Sequence, residues 1–112
     1  MVKVLSYDKE NDILFIHKGF TPDEKFKGNI DVGDLVLDVS TKGRVRGIEI
    51  MNASDFLKEF KIEKKLLENL ADAKFSVATR PDSIIIGILF VAKNKEEIPA
   101  KIAVPLKSPK VK

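Results

Sequence analysis

The stretch Asp34-Leu35-Val36-Leu37-Asp38-Val39-Ser40-Thr41-Lys42-Gly43-Arg44-Val45-Arg46-Gly47-Ile48-Glu49-Ile50-Met51 decides the fold class. Two runs rich in Val, Ile and Leu flank Thr41-Lys42-Gly43, which is the pattern of an antiparallel hairpin. Gly43 suits the left-handed position that closes a three-residue connection. Pairing Ser40 with Arg44 sets Asp38 opposite Arg46, Val36 opposite Ile48 and Val39 opposite Val45. A four-residue loop would oppose Asp34 and Glu49, two like charges, so the first register is preferred. Gly47 inside the second strand marks a bulge or a close backbone approach.

Upstream, residues 2–7 (VKVLSY) and 12–17 (DILFIH) read as two strands around the polar turn Asp8-Lys9-Glu10-Asn11. Ile13 to Ile16 are all apolar, which predicts cover on both faces. Lys18 to Asn29 holds Gly19, Pro22 and Gly28 and lacks helical periodicity, so it reads as a surface loop pinned by Phe20 and Phe26. Downstream, Asn52-Ala53-Ser54-Asp55 supplies cap residues and a first-turn acid for a helix. Ala53, Phe56, Leu57 and Phe60 form one helical stripe, and Ile62, Leu66, Leu67 and Leu70 start another out of phase. Two short helices with a break near Lys61 are expected.

Residues 74–80 (KFSVATR) restart a strand, Arg80-Pro81-Asp82-Ser83 is a turn, and Ile84 to Ala92 is the most apolar strand. Ile98 to Leu106 alternate apolar and polar positions but carry Pro99 and Pro105, so that strand belongs at an edge. The predicted architecture is a single strand-rich α+β domain over 1–107. Its order is β-β-β-β-α-α-β-β-β, mostly antiparallel, with 108–112 a frayed tail.

Tyr7-Asp8-Lys9-Glu10-Asn11-Asp12-Ile13-Leu14-Phe15-Ile16 resembles the opening of a small prokaryotic family. Leu35 to Ser40, Gly43 and Gly47-Ile48-Glu49-Ile50-Met51-Asn52-Ala53-Ser54 resemble its second half. Together they identify a likeness to the domain-of-unknown-function family twenty-two eighty-three over about residues 5–54, with Ser40 where that family often has Asp. The resemblance implies no established activity, cofactor or catalytic residue. Some family members look like partners encoded beside small toxin-like proteins, which implies an antitoxin or binding role.

The 112 residues include 20 Lys plus Arg against 17 Asp plus Glu, with no Cys and one His. Residues 93–112 hold six Lys and two Glu, a net of +4, so the remaining body is nearly neutral. This segment, with Lys107, Lys110 and Lys112, and Arg44 on the hairpin, supplies the candidate contacts to nucleic acid or an acidic partner. The competing reading is a solubilising terminus with Lys guarding an edge. Without Cys no disulfide or thiolate chemistry exists. The longest apolar run is half the length of a membrane span, and no signal-peptide region opens the chain, so a cytoplasmic location is expected. The Lys- and Ile-rich composition is that of heat-adapted proteins, which a mesophilic melting temperature would refute.

Asp8, Glu10 and Asp12 mimic the start of a calcium loop, but Ile13 and Gly19 stand where that loop needs Gly and Glu. His17 ends a strand with no nucleophile elbow nearby, so it reads as a structural histidine. Asp31, Asp34, Asp38 and Glu49 could gather for a hard cation, the third functional reading. Against it, Asp38 is matched by Arg46, and these two with Gly43 and Gly47 read as structural. No catalytic constellation and no cofactor are predicted. The run Ile84 to Val91 is apolar on both faces, more than two short helices can cover. The leading expectation is therefore a non-catalytic interaction module that self-associates as a C2 homodimer.

Overall fold

The structure, a computed structural model, describes residues 2–105. Five strands come first: β1 (Val4–Asp8), β2 (Ile13–His17), β3 (Phe26–Val32), β4 (Leu35–Ser40) and β5 (Val45–Ile50). Single-turn helices α1 (Ala53–Phe56) and α2 (Lys64–Leu67) follow, separated by a 3-10 turn (Lys58–Phe60). The chain then runs through β6 (Leu70–Thr79), β7 (Ser83–Ala92) and β8 (Glu97–Pro105). The first five strands make one sheet in the order β1-β2-β5-β4-β3, and the last three make a second, β6-β7-β8. Every pairing is antiparallel. The α+β reading therefore stands, but with five strands before the helices instead of four.

The additional strand is β3, which begins inside the stretch expected to be loop and runs past its end. Only Lys18 to Lys25 lacks a strand. β3 is an edge strand whose residues are mostly exposed. It is held by its ladder to β4, and an edge of this kind needs no apolar alternation. Phe20 does pin the loop, its ring edge-on to His17 at 4.9 Å. Phe26 is 52% exposed and does not.

The central hairpin keeps its predicted turn. Ser40 N donates to Arg44 O at 2.9 Å, and Gly43 takes φ 75°. Its register then departs from expectation. Val39 faces Val45, but Asp38 faces Gly47, Leu37 faces Ile48 and Val36 faces Glu49, with Arg46 the extra residue of a bulge. Without the bulge Leu35 would face Glu49 across the buried side, and a one-residue slip reverses every side chain. With it, Leu35, Leu37, Ile48 and Ile50 share the buried face.

Leu14 and Ile16 extend that face into β2. Ile84, Ile86, Ile88 and Phe90 of β7 meet it from the second sheet, with Ala53, Leu57, Ile62 and Leu67 from the helical segment, in one core. Burying each Ile or Leu contributes about 1.5–3 kcal/mol. The expected helix break is a left-handed Lys61, φ 62°. β7 is central in its sheet and β8 is at its edge, as the prolines required. No helix among the described residues is long and apolar enough to cross a membrane.

Candidate functional site

The outer face of the five-stranded sheet, opposite the core, carries the polar chemistry. Residues on β2, β5, β4 and β3 align in one row as His17, Gly47, Asp38 and Asn29. Gly47 leaves the space that lets His17 lie toward Asp38: a Cβ there would overlap the His17 ring and press on the Asp38 carboxylate. His17 Nε2 stands 3.7 Å from Asp38 Oδ2, while Nδ1 accepts a hydrogen bond from Gly19 N at 2.7 Å. Nδ1 is thus occupied within the chain, and Nε2 faces the Asp38 carboxylate. Asn29 Nδ2 donates to the other Asp38 oxygen.

Beside this row the loop folds back through Glu24, whose side chain is out of contact with solvent. Arg44 Nη2 lies 3.0 Å from Glu24 Oε1, and Arg46 Nε lies 3.3 Å from Oε2. Thr21 N donates to Oε2 at 2.9 Å. The Ser40 hydroxyl is the largest influence on this carboxyl; despite the opposing cost of burial, it joins Thr21 and Arg44 in holding Glu24 at about 2, against an ordinary 4.5. Arg46 Nε also donates to Gly19 O at 2.7 Å. Lys18, next in the chain, has its pKa lowered by burial and then by the Arg46 charge, and its ammonium sits 4.4 Å from the centre of the Phe75 ring.

Several sequence-predicted residues therefore change role. Asp38 is matched by His17 and Asn29 and not by Arg46, because the bulge removes the direct pairing. Arg44, a candidate partner contact, is half-exposed but spends its charge on Glu24. Gly43 closes the turn at φ 75°, and Gly47 leaves no room for a Cβ beside His17. Lys107, Lys110 and Lys112 lie outside the described residues. Of the hairpin acids, Asp31, Asp38 and Glu49 share the outer face by register, whereas Asp34 sits at the β3–β4 turn accepting from Asn52 Nδ2 at 3.2 Å. Among the described residues no three His, Asp or Glu groups come together as a cation site.

The β1–β2 turn has two functions. Asp8 accepts from the amides of Glu10 and Asn11 at 3.1 Å each, a local turn closure. Asp12, with φ 56°, points to the start of α1. It accepts from Ser54 Oγ at 2.6 Å, Ser54 N at 3.1 Å and Tyr7 Oη at 2.5 Å. Partial burial opposes the charge of Asp12, but these hydrogen bonds outweigh it and keep the carboxyl below its usual range. Burial, then the bond to Asp12, pushes the Tyr7 hydroxyl upward. The helix cap comes from Asp12 across the fold, since Asn52 makes no side-chain cap. Sequence reasoning missed Glu24, which stands beside Asp23 in the loop and far along the chain from Arg44 and Arg46.

The outer face of the second sheet is different in kind. Ile85, Gly87, Leu89 and Val91 of β7 point away from the core and are half-buried. Rows across the sheet read Ala78–Ile85–Ala103, Ser76–Gly87–Lys101, Lys74–Leu89–Pro99 and Asp72–Val91–Glu97. An apolar stripe is thus flanked by small residues and prolines, with one cation and one acid on each side. A shallow groove runs along it.

An uncharacterized protein of Methanocaldococcus jannaschii is 36% identical over 96 residues, covering 84% of this chain and 78% of that protein. A putative hypoxanthine phosphoribosyltransferase of Methanosarcina mazei is 30% identical over 70 residues, 62% of this chain; the chain spans about half, 52%, of that relative. No solved structure matches the chain. The family model described as protein of unknown function, DUF2283, matches residues 5–54, the span from β1 through the start of α1 that contains Tyr7, Asp12 and Ser54, and the chain belongs to this family.

Proposed function

We propose that this protein is a non-catalytic module that self-associates, one copy laying the outer face of its three-stranded sheet on the same face of another. The observation that carries the reading is the half-buried Ile85–Leu89–Val91 stripe on β7 with Ala78, Ala103 and Pro99 beside it. Soluble chains rarely leave a contiguous apolar strip of this kind uncovered. Charge placement selects a symmetry. A two-fold axis across the strands lays β6 on β6 and β8 on β8 in opposite directions. With the axis between the rows of Leu89 and Val91, Asp72 comes to the level of Lys74. A two-fold along the strands would bring Asp72 over Glu97, which repel.

Association through the face also fits the state of the β8 edge. Pro99 and Pro105 lie in an unbroken ladder with β7, so their missing N–H groups are on the open side. An incoming strand would find two donors absent there. Three strands of this length offer a face about 14 Å by about 30 Å, the low end of specific interfaces. Association should therefore depend on concentration. Support for a non-catalytic role comes from the polar groups themselves: His17 Nδ1, the Ser54 hydroxyl and Glu24 are engaged in holding the fold.

Sedimentation over a range of concentrations tests the reading. A concentration-dependent association that Leu89→Lys weakens is the expected result. A wild-type chain that stays monomeric throughout would remove it.

A further inference from the structure

Two of the four edge strands, β8 and β3, are built differently. β8 presents Pro99 and Pro105, whereas β3, the last strand of the five-stranded sheet, contains no proline and pairs only with β4. Along β3, Phe26 and Ile30 are 52% and 38% exposed. Lys27 and Asp31 make no ion pair among the described residues. An edge with these features is a template for another strand.

We propose that β3 of a second copy adds antiparallel to this edge, with the two-fold axis at Asn29. The segment Lys27-Gly28-Asn29-Ile30-Asp31 is complementary to itself when reversed. Lys27 faces Asp31 of the second copy, Gly28 faces Ile30, Asn29 faces Asn29, and Asp31 faces Lys27. The same two patches serve both copies, as an isologous contact requires. A lysine on an edge ordinarily discourages strand addition. Here the arriving strand meets it with a carboxylate, so the edge admits its own copy in this register and penalises a one-residue slip. Ile30, too exposed for a residue on the core side of the sheet, gains cover over Gly28 of the second copy, which has no side chain to obstruct it. Lys27, at the bulge, is the last position paired, and the strand bends away before it.

This contact uses a different sheet from the face proposed above, so either can fail alone. The chain has no cysteine, which makes a single introduced thiol diagnostic. Asn29→Cys places that thiol on the axis, and mild oxidation should convert the protein to a disulfide-linked dimer. Leu89→Cys reports separately on the sheet face. In the Asn29→Cys background, Lys27→Asp or Asp31→Lys should each lower the cross-linking rate about tenfold, the effect of about 1.4 kcal/mol. Lys27→Asp combined with Asp31→Lys should restore it, a rescue that loss of folding could not mimic. An Asn29→Cys protein that stays monomeric under oxidation, or a double swap that fails to recover, overturns the proposal.

Discussion

The two sheets share one core but treat their outer faces in opposite ways. On the five-stranded sheet the buried polar groups near the loop are met from within: Glu24 by Arg44 and Arg46, and Asp38 by Asn29, with the His17 ring beside it. On the three-stranded sheet the central stripe is apolar, and the flanking charges Lys74, Asp72, Lys101 and Glu97 have no ion-pair partners among the described residues. The first face is a closed account of internal contacts that fixes a loop. The second leaves its flanking charges without ion-pair partners among the described residues. That difference teaches where to look for association. A charged cluster is no evidence of a binding site when its members neutralise one another, whereas a plain apolar strip with alternating rim charges is available to a partner.

The sharpest way to break the comparison is to attack what the faces have in common. Phe90 is fully buried where both sheets meet. Phe90→Ala should cost about 3–5 kcal/mol in urea denaturation. Tyr7 fluorescence, which reports on β1, and far-ultraviolet circular dichroism should lose signal in one shared transition. Two separate transitions would mean that the sheets are not held by one core.

A smaller effect is expected at Gly47, where the polar face depends on a missing side chain. Gly47→Ala drives a methyl into the His17 ring and the Asp38 carboxylate, for a loss of about 1–3 kcal/mol. A neutral outcome would show that His17 can move aside without consequence, and the row would lose its structural standing.

Acid separates the two faces next. Glu24 is held at about 2 in the folded chain against 4.5 ordinarily, so it binds protons more weakly folded than unfolded. Its contribution is complete above pH of about 4.5 and is lost as pH falls toward 2. The urea midpoint should fall through this window, and Glu24→Gln should lower the midpoint at neutral pH while flattening that acid limb. An unchanged acid limb in Glu24→Gln would assign the acid sensitivity to other carboxylates. The smallest expected stability effect belongs to the apolar face. Leu89→Lys should leave monomer stability within about 0.5 kcal/mol, since surface changes seldom exceed that, while removing the face-to-face association.

Much of this molecule was legible before any fold was seen. The Thr41-Lys42-Gly43 turn, the glycine irregularity at 47, the helix break at Lys61, the central place of β7 and the edge place of β8 all follow from local chemistry. Turns, prolines and apolar alternation act over a few residues, so they are written in adjacent letters. β3 was not legible, because an edge strand can be polar on most positions and is defined by its neighbour. The site residues divide in the same way. Gly43 and Gly47 were readable, but the partner of Arg46 was misassigned and Glu24 went unnoticed, since its arginines lie twenty or more residues away.

The sequence by itself determined a strand-rich α+β chain, its turns, its family motif and a central strand with two apolar faces. Tertiary structure alone decided which face of β5 is buried, and so placed the bulge at Arg46 and turned His17 over Gly47 toward Asp38. It also brought Asp12 to the helix start at Ser54 and closed Glu24 beneath two arginines. The physical reason is the same in each case. Register and charge pairing are settled by what lies opposite across the sheet, and burial of Leu35, Leu37, Ile48 and Ile50 on one side outweighs any pairing that local spacing favours.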